Sequence, residues 1–264
     1  MGNDCNLNYF QINHLSSLHN GRNIFFCKTD FLLTDFDYIS KLNNQVILIS
    51  GNSDYPITDK LVNSAPKNII KWFSQNALSS NNILEPIPIG IENKIESIRK
   101  GHGVCYYDRV SIKEKLLNRS INQIPVKYIY CNFNVNTNIS HRGYIKTFCE
   151  HIEYIDVDNC NLSLYNFFNK LLEYKMILCP AGNGVDTHRL WETLYSKRVP
   201  ITVKVGDFKI YELYEKLPII ILDDISQINN RDYINECYNI QIKKGFDNNI
   251  LRSKYWIDTI KQLQ

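Results

Sequence analysis

The chain has 264 residues, enough for one large domain or two small ones, and its 44% hydrophobic and 22% charged content is that of a packed globular protein. Its net charge of +3 comes from scattered basic residues, which excludes the concentrated basic stripe of a nucleic-acid binder. Eight cysteines, with no Cys-x-x-Cys pair and no Cys/His metal spacing, imply free thiols in a reducing compartment, not disulfides or structural zinc.

Met1 to Asn6 has no basic stretch followed by an apolar run, so no signal peptide is expected. Met1-Gly2 opens like a myristoylation signal, but Asn6 stands where Ser or Thr is preferred. No apolar run has the length of a membrane span. The expected setting is the cytoplasm, without stable membrane insertion.

In chain order, strands are expected at Asn23 to Cys27, Gln45 to Ser50 and Asn68 to Phe73. Glu85 to Gly90 is extended, and its two prolines restrict it to a sheet edge or a loop. Ile91 to Lys100 and Arg109 to Asn118 have helical patterns. Val126 to Phe133 is a strand, Tyr144 to His151 a helix, and Leu164 to Lys175 an amphipathic helix with Phe167, Leu171 and Leu172 on one side. Met176 to Cys179 is a strand, Asp186 to Ser196 a helix, Val199 to Val203 and Leu217 to Leu222 strands, and Ile250 to Leu263 a closing helix. Strands alternating with helices give an α/β protein with parallel sheets covered on both faces. The expected division is a lobe of residues 1–122 and a lobe of residues 123–264 that includes the closing helix, packed back across the boundary.

The segment Met176 to Val203 carries the densest chemical signal. It reads strand, loop with Gly182 and Gly184, helix, turn, strand. Glycines let the backbone approach a ligand, and the following helix aims its N-terminal N–H groups at that loop, where phosphate is favoured. Ligands of open α/β sheets lie beyond the carboxyl ends of the strands, which is where this loop falls. Asp186 reads as the helix cap. His188 and Glu192 are four apart on one face with Arg189 beside them, which suits charge-assisted bonds to phosphate and a carboxylate for ribose hydroxyls. Each residue alone also reads as a cap, a surface charge or an ordinary loop; their convergence on one edge points to binding.

The run Gly182-Asn183-Gly184-Val185-Asp186-Thr187-His188-Arg189-Leu190-Trp191-Glu192-Thr193-Leu194, followed by Val199-Pro200-Ile201, resembles the donor-binding signature of exostosin-type glycosyltransferases. Trp72 to Asn76 with Pro86 to Asn93, and Asn132 to Asn138 with Arg142 after it, resemble the two lobes of short exostosin-like proteins of bacteria and large DNA viruses. The resemblance implies a GT-B fold, two Rossmann-like lobes with a cleft between them, and transfer of a sugar from a nucleotide-sugar, UDP-linked in that family, to a glycan acceptor. It implies donor-binding roles for Arg142, Gly182, Asn183, Gly184, Asp186, His188, Arg189 and Glu192. No membrane anchor like that of eukaryotic exostosins is expected, and the sequence is much shorter than theirs, so their heparan-type substrate does not carry over.

A GT-B enzyme meets the donor diphosphate with a helix dipole and cationic side chains, so neither a metal nor another cofactor is expected. Asp156-Val157-Asp158 reads as a strand end, and Asp223-Asp224 is a weaker metal candidate still. Inverting transfer needs a general base. Asp54, just past the strand that ends near Ser50, is the first candidate, and a turn aspartate before Pro56 is its plain reading. His102, between two glycines, is the second. Neither Gly-x-Gly-x-x-Gly nor Gly-Lys-Ser/Thr occurs, which argues against dehydrogenases and P-loop kinases. A non-catalytic module that binds nucleotide-sugar or glycan, and a retaining transferase, remain open alternatives.

Overall fold

A computed structural model describes residues 9–93, 113–115, 117–118 and 123–264. The helices whose full extent lies among the described residues include α1 (Asn13–Ser16), α2 (Leu32–Ile39), α3 (Asp59–Asn63), α4 (Ile139–Cys149), α5 (Leu164–Leu171), α6 (His188–Tyr195), α7 (Ile210–Glu215), α8 (Arg231–Lys244) and α9 (Ser253–Lys261). The chain forms two compact units. One comprises residues 1–90, 206–213 and 247–264, and the other residues 91–205 and 214–246.

The first unit holds a four-stranded parallel sheet in the order β1 (Ile24–Lys28), β2 (Val46–Gly51), β3 (Ile69–Ser74) and β4 (Leu84–Pro86). Every residue of β2 is buried, as an interior strand covered on both faces requires. Helix α2 buries Leu32, Phe36 and Ile39, spaced four and three apart, and Phe36 meets Trp72 of β3 edge-on at 5.6 Å. The Trp72 indole N–H donates to Ser50 Oγ at 2.8 Å, so its one polar atom is satisfied inside the core. The proline-bearing β4 is an edge strand, because a proline nitrogen cannot donate to a second neighbour.

Helix α9 belongs to this unit with the rest of residues 247–264, not to the one that holds residues 214–246. Trp256 packs edge-on against Phe10 at 6.3 Å, and the Ser253 hydroxyl accepts from Gln11 N–H at 3.1 Å and lies 2.7 Å from His14 Nδ1. The division near residue 122 expected from the sequence counts α9 with the C-terminal lobe; the observed division falls after Gly90 and assigns 206–213 and 247–264 to the first unit.

The second unit holds a five-stranded parallel sheet in the order β6-β5-β7-β8-β9, from β5 (Lys127–Cys131), β6 (Ile155–Val157), β7 (Tyr174–Leu178), β8 (Val199–Val203) and β9 (Ile220–Leu222). The chain leaves β5 outward to β6, then returns to β7 on the other side of β5. That reversal is the switch point of a doubly wound sheet, and it opens a crevice beyond the carboxyl ends of β5 and β7. The core beneath is Ile129, Cys131, Met176, Leu178, Val199, Ile201 and their neighbours, closed on one side by α4 through Ile145 and Cys149. The α/β class with parallel sheets is as the sequence implied.

Some elements escape the sequence reading. Helices α2 and α8 are absent from it, and α4 begins at Ile139, ahead of the expected Tyr144. The expected helices over 91–100 and 109–118 fall largely outside the described residues, of which 113–115 and 117–118 are helical.

Candidate functional site

The loop after β7 runs from Cys179 to Thr187 into α6 and is held from below by Arg142 of α4. The Arg142 guanidinium is buried. Its Nε donates to Ala181 O at 3.0 Å, one terminal nitrogen to Pro180 O at 2.9 Å, and the other to Asn134 O at 3.0 Å and Thr137 Oγ1 at 2.6 Å. It joins the loop after β5 to the loop after β7, and it is committed to backbone carbonyls rather than turned to a ligand. Among the described residues it has no carboxylate within ion-pair distance. Burial, with the Arg189 charge nearby, pushes its pKa down to about 10, which still leaves it charged at neutral pH.

Gly182 serves this arrangement through size and not through positive φ. A Cβ on it would lie 2.8 Å from an Arg142 terminal nitrogen and 3.1 Å from Cζ. Its N–H closes a tight turn onto Gly184 O at 2.9 Å, with Asn183 exposed at the tip.

Asp186 differs from expectation. The N-cap of α6 is Thr187, which makes no side-chain cap bond. Asp186, one residue earlier, turns inward at 3% exposure, where Oδ1 accepts from Trp191 Nε1 and from the Tyr214 hydroxyl, each at 2.7 Å. Two buried donors on large rings need an acceptor, and Asp186 supplies it. It anchors α6 to the core instead of capping it.

His188, Arg189 and Glu192, on α6, line a cavity of about 260 Å³ together with Asn132 after β5, Cys160, Leu162, Leu164, Phe167 of α5, Glu92 and Lys113. The cavity lies at the switch-point crevice. Arg189 donates to the Asn132 carbonyl and lays its guanidinium 3.9 Å from the centre of the Phe167 ring, with Nε 3.7 Å from Glu192 Oε2. Glu192 is 5% exposed, and its Oε1 meets Lys113 Nζ at 2.5 Å; Lys113 is 4% exposed and reaches Glu92 Oε2 at 2.6 Å as well. Burial works against the Lys113 charge, but the Glu192 and Glu92 carboxylates outweigh it and hold its pKa above the usual lysine value. Lys113 is absent from the sequence-based expectations; it lies among other charged residues, and only the fold marks it as the buried one.

The remaining expected residues lie elsewhere. Asp54 is exposed in the loop after β2, in the first unit, and His102 is outside the described residues. Asp156 in β6 and Asp158 just past its end are both occupied: Asp156 accepts from the Tyr174 hydroxyl at 2.5 Å, and Asp158 from the Tyr130 hydroxyl at 2.9 Å and from Lys170. Asp224 caps a 3₁₀ turn at Ile225–Asn229, and Asp223 pairs with Lys204 at 2.8 Å. A second Asp-x-Asp string, Asp35-Phe36-Asp37, lies on α2, where residues two apart point to different faces. No cluster of three or more His, Cys, Asp or Glu suited to a metal occurs among the described residues. Among the same residues, no helix is long and apolar enough to cross a membrane.

No protein-family model and no curated protein matches the chain, so the exostosin resemblance rests on the quoted segments alone. Among solved structures, the chain is similar to the crystal structure of an α1,3-fucosyltransferase with GDP-fucose, at 15% identity over 88% of this chain and 83% of that one, with a TM-score of 0.38.

Proposed function

We propose that the chain is a glycosyltransferase of the GT-B type whose second unit binds the nucleotide diphosphate of a sugar donor, UDP-linked in the first instance. The observation that carries this reading is the cavity beyond the carboxyl ends of β5 and β7, where the start of α6 and Arg189 offer positive charge, His188 an imidazole and Glu192 a carboxylate. A helix N-terminus and cations suit a diphosphate. A buried carboxylate suits the paired hydroxyls of ribose, and Phe167, with Leu162 and Leu164, gives an apolar wall for a base or sugar face. Arg142 and Gly182 shape the loop rather than touch the donor, and Asp186 fixes α6.

Transfer would proceed by attack of a glycan hydroxyl on the anomeric carbon. Its proton goes to a base, with Asp54 first and His102 second, and the diphosphate leaves with its charge met by Arg189 and α6. On this reading the charge is supplied by protein groups, so transfer without added divalent metal is expected. The test is a screen of UDP-, GDP- and CMP-sugars, reading thermal shift and donor hydrolysis. Stabilisation together with hydrolysis supports a transferase, stabilisation without turnover identifies a binding module, and no response to any donor refutes both.

A further inference from the structure

Three segments far apart in sequence bring Glu92, Lys113 and Glu192 to one wall of the cavity. The lysine side chain is 5% exposed and the Glu192 side chain 6%, so neither charge is solvated. A buried ammonium is tolerated only when paired: Lys113 donates to Glu192 Oε1 at 2.5 Å and forms an ion pair with Glu92 Oε2 at 2.6 Å. Such a pair is weak evidence for stability, because apolar residues of the same volume usually serve as well or better. Its position on a cavity wall calls for another reason. Glu192 Oε1 is taken by Lys113, whereas Oε2 has Arg189 Nε only at 3.7 Å, beyond hydrogen-bond length. The carboxylate is thus gripped at one oxygen while the other keeps acceptor capacity.

We propose that Lys113, itself held by Glu92, is the positioning residue that fixes the Glu192 carboxylate so that Oε2 accepts from the ribose hydroxyls of a bound nucleotide. The inference rests on the nucleotide reading above. Lys113 sets selectivity for ribose over deoxyribose without touching the ligand. A carboxylate pinned at one oxygen has its rotamer entropy removed before the ligand arrives, so the bond to ribose costs less to form.

The experiment compares UDP with 2′,3′-dideoxy-UDP by calorimetry, with GDP and its dideoxy analogue in parallel, on the full chain and on Lys113→Met, Lys113→Arg and Glu92→Gln. The full chain is expected to favour the ribonucleotide about tenfold or more, the range for a hydrogen bond to a charged group. Lys113→Met should bring that ratio towards one, and Lys113→Arg should restore most of it. If Lys113→Met weakens both ligands equally, or lowers the melting temperature with the ratio intact, Lys113 is merely structural and the proposal falls. A change in the preference for UDP over UMP with the ribose ratio intact would make Lys113 a phosphate contact, with the same consequence. Should Lys113→Met fail to fold, Glu92→Gln decides, since it loosens the lysine without leaving Glu192 unpaired: a reduced ratio supports the proposal and an unchanged one overturns it. A full chain that binds nucleotides with no ribose preference sinks this inference alone, whereas one that binds neither UDP nor GDP sinks the nucleotide reading beneath it.

Discussion

Replacing Gly182 by alanine adds one methyl group at a crowded point of the loop after β7. The new Cβ would stand 2.8 Å from an Arg142 terminal nitrogen and 3.1 Å from Cζ, closer than van der Waals contact. On an exposed arginine such a clash would be relieved by a swing of the side chain. Here the guanidinium is fixed by Ala181 O, Pro180 O, Asn134 O and Thr137 Oγ1 at 2.6–3.0 Å, so relief requires breaking one of these bonds or moving the loop. Loss of one charge-assisted bond costs about 1.5–3 kcal/mol, and overpacking a tight site about 1–3 kcal/mol, two descriptions of one event and therefore not to be summed. We expect Gly182→Ala to destabilise the protein by about 2 kcal/mol in urea unfolding and to weaken nucleotide binding along with it. The control is the same change in an Arg142→Met background, where the obstacle is gone and the added cost should fall to a few tenths of a kcal/mol. A Gly182→Ala protein within about 0.5 kcal/mol of the parent, or an equal cost in both backgrounds, would refute the claim that the glycine exists to admit Arg142.

Asp186→Leu should cost about 2–4 kcal/mol in the same assay, because it strands the buried Trp191 and Tyr214 donors; a loss under about 1 kcal/mol would deny Asp186 its anchoring role. Glu192→Ala should weaken donor binding by about 1–3 kcal/mol by calorimetry, and unchanged affinity would remove Glu192 from the site. Asp158 supplies a pH test. Burial acts to raise its carboxyl, but the Lys170 ammonium and the Tyr130 hydroxyl outweigh this and hold it below its usual 3.8. A depressed carboxyl contributes stability that is present above its unfolded value and lost as pH falls through the folded one, so Asp158→Asn should flatten the decline in stability between about pH 5 and about pH 3. An identical decline in both proteins would show that the Lys170 pairing has no energetic weight. Asp54→Asn should lower transfer by about 10²–10⁴-fold with nucleotide affinity intact, and near-normal transfer would leave Asp54 a turn residue.

Several strands were legible in the sequence because each is a short apolar run, and parallel strands covered on both faces need nothing else: Val46–Gly51, Ile69–Ser74 and Val199–Val203 all fall within a residue of their expected bounds, whereas β6, with Asp156 at its centre, was not. So was the edge position of Leu84–Pro86, which its proline dictates. Helix α8 was missed because it buries only Ile234 and has little apolar stripe to detect, although Asn230 capping Tyr233 N–H and Gly245 at φ 73° bracket it by local chemistry. Of the site, the sequence brought together what one loop and one helix carry: His188, Arg189 and Glu192 reach the cavity because a four-residue spacing on a helix is itself a contact rule.

What only the tertiary structure decided is which polar groups lose their water. The resemblance implied a donor-binding role for Arg142, but four loop acceptors occupy it, and Asp186 read as a cap until two buried rings proved to need its oxygen. Lys113 and Glu192 are 79 residues apart, and Gln11 meets Ser253 across 242. No local periodicity encodes such pairings. A residue's helix or strand preference follows from its neighbours in the chain, but its burial, and with it the strength of every charge and hydrogen bond it makes, is set by segments that arrive from elsewhere.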